Sequence, residues 1–165
     1  MAEVASIFLW FNKDAEDAAR FYAETFPESS IGAISRAPGD YPAGEEGDAL
    51  TVSMTLCGLP VVLLNGGPEF TPNESFSIQV STSTQKETDE LWNAITGNGG
   101  QESACGWCKD KWGYSWQITP RQLTGGMADS DPAARKRVFE AMMTMRKIDI
   151  AAIEAARAGE AAHAS

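Results

Sequence analysis

Glu102–Arg121 reads ESACGWCKDKWGYSWQITPR, and its last third decides the kind of fold. Trp116 and Ile118 alternate with Ser115, Gln117 and Thr119, the period of two that belongs to a strand with two unlike faces. The stretch holds three of the five tryptophans (Trp107, Trp112, Trp116) and two of the three cysteines (Cys105, Cys108). Bulky apolar groups on one face and small neutral polar groups on the other fit a strand lining a pocket. We read it as the closing strand of a curved sheet.

Working back toward the N-terminus, Phe76, Ile78 and Val80 alternate with Ser77, Gln79 and Ser81, giving another strand. Thr84 with Glu87 forms a capping box for a helix over Gln85–Thr96, whose inner face is Thr88, Leu91, Trp92 and Ile95. Gly97 suits its C-terminal cap. The first part of the chain repeats this plan. Ser6–Phe11 is an apolar strand, Asp14 an N-cap, and Ala15–Phe26 a helix with Ala15, Ala18, Ala19 and Tyr22 on one face. Strands follow at Ser29–Ala37, at Leu50–Leu56 and at Val61–Asn65, with the acidic turn-rich loop Pro38–Asp48 between the first two. A shift of about 70 residues lays Phe8 and Trp10 on Ile78 and Val80, Asp14 on Thr84, and Phe21-Tyr22 on Leu91-Trp92. The fold class expected is α+β: tandem βαβββ modules, about 1–65 and 74–121, forming a curled, antiparallel-rich mixed sheet around a cavity.

Beyond Arg121 the pattern is helical, and residues 122–165 read as a C-terminal extension to the 1–121 domain. Asp131 with Pro132 starts one helix. Asp149 caps another, with Ile148 and Ile153 spaced as a hydrophobic staple. Met142, Met143 and Met145 read as packing residues. The alanine-rich tail Ala155–Ser165 is expected to fray, and it holds the only histidine, His163.

The composition narrows the function classes. A formal net charge of −10 argues against nucleic acid and anionic membrane surfaces as partners. No run of 18 apolar residues or signal-like start is present, and an odd number of cysteines fits a reduced compartment, so the cytoplasm is expected. Cys105-Gly106-Trp107-Cys108 has redox spacing, yet Lys109–Gly113 reads as strand and turn, without the helix N-terminus that lowers a thiol pKa. Gly66-Gly67 precedes Pro68 and Pro72 and does not open into a helix, so it reads as a turn and not as a phosphate loop.

Several stretches are similar to one known family. LWFNKDAEDAARFYAETFPES, LNGGPEF, SFSIQV, CGWCKDKWGYSWQITPR and the tail MRKIDIAAIEAA resemble the PhnB-like family described as 3-demethylubiquinone-9 3-methyltransferase. That family sits within the vicinal oxygen chelate (glyoxalase/bleomycin-resistance/dioxygenase) superfamily. The resemblance implies the duplicated fold, a homodimer, and a divalent metal held by His, Glu or Gln. Carried over, the metal positions fall near Ile7, within Val62–Leu64, at Ser75 or Ser77, and at Gln117, of which only Gln117 has a suitable side chain. No metal and no cofactor are therefore expected, and catalytic residues are left unassigned. The glycine-rich loop of common methyltransferases is also missing.

Parity on the strands puts Ile7, Leu9 and Phe11 with Ser77 and Gln79, and with Gln117 on the closing strand. Ser53, Asn65 and Trp107 complete the candidate ligand-binding set. Such a face is neutral and suits a small, partly apolar molecule held by a few hydrogen bonds. The first expectation is a metal-free small-molecule-binding protein of the PhnB-like group. The alternative is a superfamily enzyme: an isomerase, lyase or transferase.

Overall fold

The computed structural model describes residues 5–160, which fall into two compact units divided between Pro72 and Asn73. His163 and the last part of the expected frayed tail lie outside the described residues.

Unit 1 consists of β1 (Ile7–Phe11), α1 (Ala15–Thr25), β2 (Ser30–Arg36), β3 (Ala49–Leu56) and β4 (Leu59–Asn65). They form one four-stranded sheet in the order β1-β4-β3-β2, with β1 parallel to β4 and the other pairs antiparallel. Unit 2 consists of β5 (Ser77–Thr82), α2 (Gln85–Gly97), β6 (Gln101–Glu102), β7 (Trp107–Lys109), β8 (Ser115–Pro120), α3 (Arg121–Met127), α4 (Pro132–Met143) and α5 (Ile150–Ala158). Its sheet order, β5-β8-β7-β6, repeats the first with the same parallel pair at one edge. The fold is mixed α+β, two βαβββ modules followed by three further helices.

Each sheet buries the face that its helix covers. In unit 1, Leu9, Phe11, Val52, Met54, Leu56, Val61 and Leu63 meet Ala15, Ala18, Ala19 and Tyr22 of α1 in the core. Three alanines on that stripe let the helix lie close, and Tyr22 fills the space they leave. In unit 2, Ile78, Val80, Trp116 and Ile118 meet the expected stripe Thr88, Leu91, Trp92 and Ile95. Both tryptophans are buried with their indole N–H groups satisfied: Trp92 donates to Glu102 Oε1 at 3.1 Å and Trp116 to Asp110 Oδ2 at 2.9 Å. Asp110, 4% exposed, also accepts from the backbone N–H groups of Trp112 and Tyr114, both at 3.0 Å, and so ties the β7–β8 turn to the core.

The helix ends depart from the expectation in two places. Asp14 occupies the N-cap position of α1 without a side-chain cap bond, and Asn65 Oδ1 accepts the Ala15 N–H instead, at 3.0 Å. Helix α2 runs through Gly97, and the left-handed glycine after it is Gly99, with φ 80°. Thr84 caps that helix as expected, while the Glu87 carboxylate reaches back to the N–H of Ser83 at 2.7 Å.

The three C-terminal helices share a small core of Leu123, Val138, Ile148 and Ile153, with Ala141, Met142 and Met145 packed against it. They join the rest of unit 2 through backbone bonds. Cys105 N–H donates to the Met145 carbonyl at 2.8 Å and Gly106 N–H to the Arg146 carbonyl at 2.7 Å. Gly106 has φ 83°, and a Cβ there would stand 3.0 Å from Ile118 O and from Ile148 Cγ1, so only glycine fits. Gln85 bridges α2 and α5 by donating to Ile148 O (3.1 Å) and accepting from Ile150 N–H (2.8 Å). The expected fraying from Ala155 is corrected: α5 continues to Ala158. Gly159 closes it at φ 80°, and the Arg137 guanidinium donates to the carbonyls of Ala156 and Arg157. Met143, unlike Met142 and Met145, is exposed, at 55%.

Candidate functional site

The side of the unit 2 sheet away from α2 carries four of the sequence-derived residues together. Gln79 of β5 stands opposite Gln117 of β8, and Gln117 stands opposite Trp107 of β7, so the three form one rung across three strands. Neighbouring strands lie about 4.8 Å apart, so the rung spans about 10 Å, the width of a ring-sized molecule. Gln117 Nε2 donates to Ser77 Oγ at 2.9 Å, which fixes the amide. Gln79 is exposed, while Ser77, Trp107 and Gln117 are half-buried. The next rung toward the strand start pairs Ser77 with Ser115 and Ser115 with Lys109, and Ser115 is buried.

Beside these rungs lies a cavity of about 130 Å³ lined by Glu74, Gln101–Ser103, Trp107, Cys108, Lys109 and Ser115. The Lys109 ammonium is paired with the Glu74 carboxylate, and that contact holds the Glu74 carboxyl below its usual range. Glu102 faces the other side of the sheet, with Trp92 on Oε1 and Arg146 on Oε2 at 3.3 Å, both of which lower its pKa. Cys108 is 1% exposed, and burial pushes its thiol up to about 12. It is an inert thiol. Cys105, two residues before β7 at φ 58°, directs its thiol to Met143 Sδ at 3.7 Å, and neither cysteine is in a disulfide.

The remaining candidates belong to unit 1, and the structure reassigns most of them. Leu9 and Phe11 are 2% and 3% exposed on the α1 side, with Ile7 at the same parity, so they form core and not the open face. The open face of β1 carries Phe8, 61% exposed, and Trp10. The cause is a difference in loop length. Three residues, 12–14, join β1 to α1, but only two, 83–84, join β5 to α2. Helix residues Tyr22 and Trp92 keep the 70-residue frame, whereas by strand pairing Leu9 corresponds to Val80 and Phe11 to Thr82. One residue of slip exchanges the two faces of a strand. The extra residue is accommodated by Lys13 at φ 70°.

Asn65 is 5% exposed and structural, accepting from Ala15 N–H and donating to Ala49 O at 2.8 Å. Ser53 does lie on the open face of its sheet, but its hydroxyl bridges the bulge in β2. It accepts from Ala33 N–H at 2.9 Å and donates to Ala33 O at 3.1 Å. Trp10 is likewise occupied: its indole donates to Gly67 O at 2.8 Å and packs edge-on to Phe70, and a Cβ on Gly66 would fall within 2.3 Å of its ring. Gly66 is thus required by the close approach of an indole. The acidic loop is closed on itself, with Glu45 N–H on Asp48 Oδ2 and Glu46 N–H on Asp40 Oδ1.

The residues at the implied metal positions do not fit an ion. Ile7 and Val62–Leu64 offer no donor, Ser77 Oγ is engaged by Gln117, and only neutral amide and hydroxyl oxygens remain. Among the described residues no group of three or more His, Cys, Asp or Glu is placed to hold a metal ion. No described helix is long and apolar enough to cross a membrane.

The family profile described as 3-demethylubiquinone-9 3-methyltransferase matches residues 3–119. The chain belongs to this family. A solved structure of the PhnB protein from Bacillus cereus, described as a 3-demethylubiquinone-9 3-methyltransferase, is 29% identical. Its TM-score is 0.63, and the match covers 72% of this chain and 99% of that one. Protein PA1353 from Pseudomonas aeruginosa is 17% identical with a TM-score of 0.57, covering 72% and 98%. The fosfomycin resistance protein FosX from Listeria monocytogenes is 16% identical with a TM-score of 0.51, covering 73% and 92%. The last two show a shared fold and nothing more. A search of curated proteins finds no match. The family match ends before α3, so the three C-terminal helices lie beyond it.

Proposed function

We propose that this PhnB-like chain binds a small, partly apolar molecule on the open face of its second module, without a metal at that site. The observation carrying the reading is the Gln79–Gln117–Trp107 rung, which presents two carboxamides and an indole side by side. The indole offers a flat apolar surface and the amides offer both donors and acceptors, a combination that orients a ring bearing one or two polar groups. Ser77 holds Gln117 in place, so part of the ordering cost of binding is met before the ligand arrives. The site has no paired carboxylates and no base beside a nucleophile, which is why binding is preferred to turnover.

The test is native mass spectrometry of the purified protein for a co-purified molecule, followed by thermal-shift screening of small aromatic and quinone-like compounds. A Gln79→Leu, Gln117→Leu double variant should abolish the shift. An unchanged shift would place the ligand elsewhere. The homodimer that the resemblance implies is part of the same proposal. Exposed Phe8, Ile31, Ile34 and Leu59 give unit 1 apolar surface to cover, and sedimentation velocity reads the state directly.

A further inference from the structure

We infer that Lys109 anchors a carboxylate on the ligand, and that Glu74 occupies that place until the ligand displaces it. The inference rests on the binding face proposed above and adds a charge requirement to it. Lys109 lies on β7, in the rung next to Gln117, and lines the 130 Å³ cavity together with Trp107 and Ser115. A water occupies about 30 Å³ in the liquid and whole-ligand pockets run to about 300 Å³ or more, so this cavity is sized for one end of a molecule. The rest of that molecule would lie over the Gln79–Gln117 amides.

The two members of the ion pair are not equivalent. Lys109 is held in a sheet strand and its side chain is 31% exposed, whereas Glu74 comes from the segment before β5 and is 65% exposed. The exposed partner is the exchangeable one. Exposed ion pairs contribute little net stability, so exchanging Glu74 for another carboxylate is cheap. A ligand acid attached to a ring on Trp107 gains that contact as well. The other carboxylate in the cavity wall, Glu102, does not compete for Lys109. Its two oxygens are taken by Trp92 and Arg146 on the opposite side of the sheet. Glu74, Glu102 and Lys109 are the charged groups that line the cavity.

The experiment uses the full chain and two probes of matched shape, benzoate and benzamide, titrated while the Trp107 indole N–H is followed by NMR. Wild type should bind benzoate more tightly than benzamide. Glu74→Gln should tighten benzoate by about two- to fivefold, the range expected for removing an exposed competitor, and leave benzamide unchanged. Lys109→Gln should remove the preference for the acid while retaining benzamide. If benzamide binds through Gln79 and Gln117 but the acid has no Lys109-dependent advantage, the anchor is overturned and the binding face stands. If neither probe moves the Trp107 signal, both are overturned.

Discussion

Asn65 separates a structural reading of unit 1 from a ligand-binding one. Replacing it by leucine keeps the volume roughly constant and removes both polar atoms. The Ala15 N–H then loses its acceptor at a buried helix start, and the Ala49 carbonyl loses a 2.8 Å donor. A buried donor left unpaired costs about 1–3 kcal/mol, and a lost bond to a half-buried carbonyl adds about 1 kcal/mol. The expected loss is therefore ~2–4 kcal/mol, a large part of the ~5–15 kcal/mol typical of a whole domain. Asn65→Asp keeps an acceptor for Ala15 N–H at a helix N-terminus, but it sets a carboxylate oxygen against Ala49 O and should also destabilise, by ~1–3 kcal/mol. Urea denaturation followed by tryptophan fluorescence reads both, with unchanged m-values as the check on two-state behaviour. A loss under about 0.5 kcal/mol for the leucine variant would refute the capping role.

Three further outcomes follow from the geometry. Cys108→Ala should flatten the alkaline limb of stability. The buried thiol is pushed up from 9.0 to about 12, so the unfolded chain loses that proton first and stability falls as pH rises through this interval. Relative to the variant, wild type should lose about 2 kcal/mol between pH 8 and pH 10.5, and parallel curves would contradict this. In native protein a thiol reagent should modify Cys105 and spare Cys108, read by peptide mass mapping; early labelling of Cys108 would show that the sheet opens there. Gly66→Ala drives a methyl group into the Trp10 ring and should destabilise by ~1–3 kcal/mol with a shift in tryptophan emission, whereas a silent substitution would mean the loop relaxes freely.

The elements themselves were legible because each rests on local chemistry. Ile78 and Val80 alternating with Gln79, the stripe Thr88–Leu91–Trp92–Ile95, and the caps Thr84, Asp131 and Asp149 all recur in the structure. So does the grouping of Ser77, Gln79, Gln117 and Trp107, since residues two apart on paired strands share a face whatever lies around them. What the period of two cannot supply is which face a helix covers. In unit 1 a single extra residue between β1 and α1 inverted that choice and moved Leu9 and Phe11 into the core.

The sequence by itself determined where strands and helices run, that they repeat, and which residues on each strand travel together, because periodicity and capping act over a few residues. Only the tertiary structure decided that Asn65 caps a helix fifty residues earlier in the chain, that Gln85 and Gly106 dock the C-terminal helices, and that Lys109 meets Glu74. Those contacts join atoms far apart in the chain. Hydrogen-bond geometry over a few ångströms depends on backbone paths that no local pattern encodes.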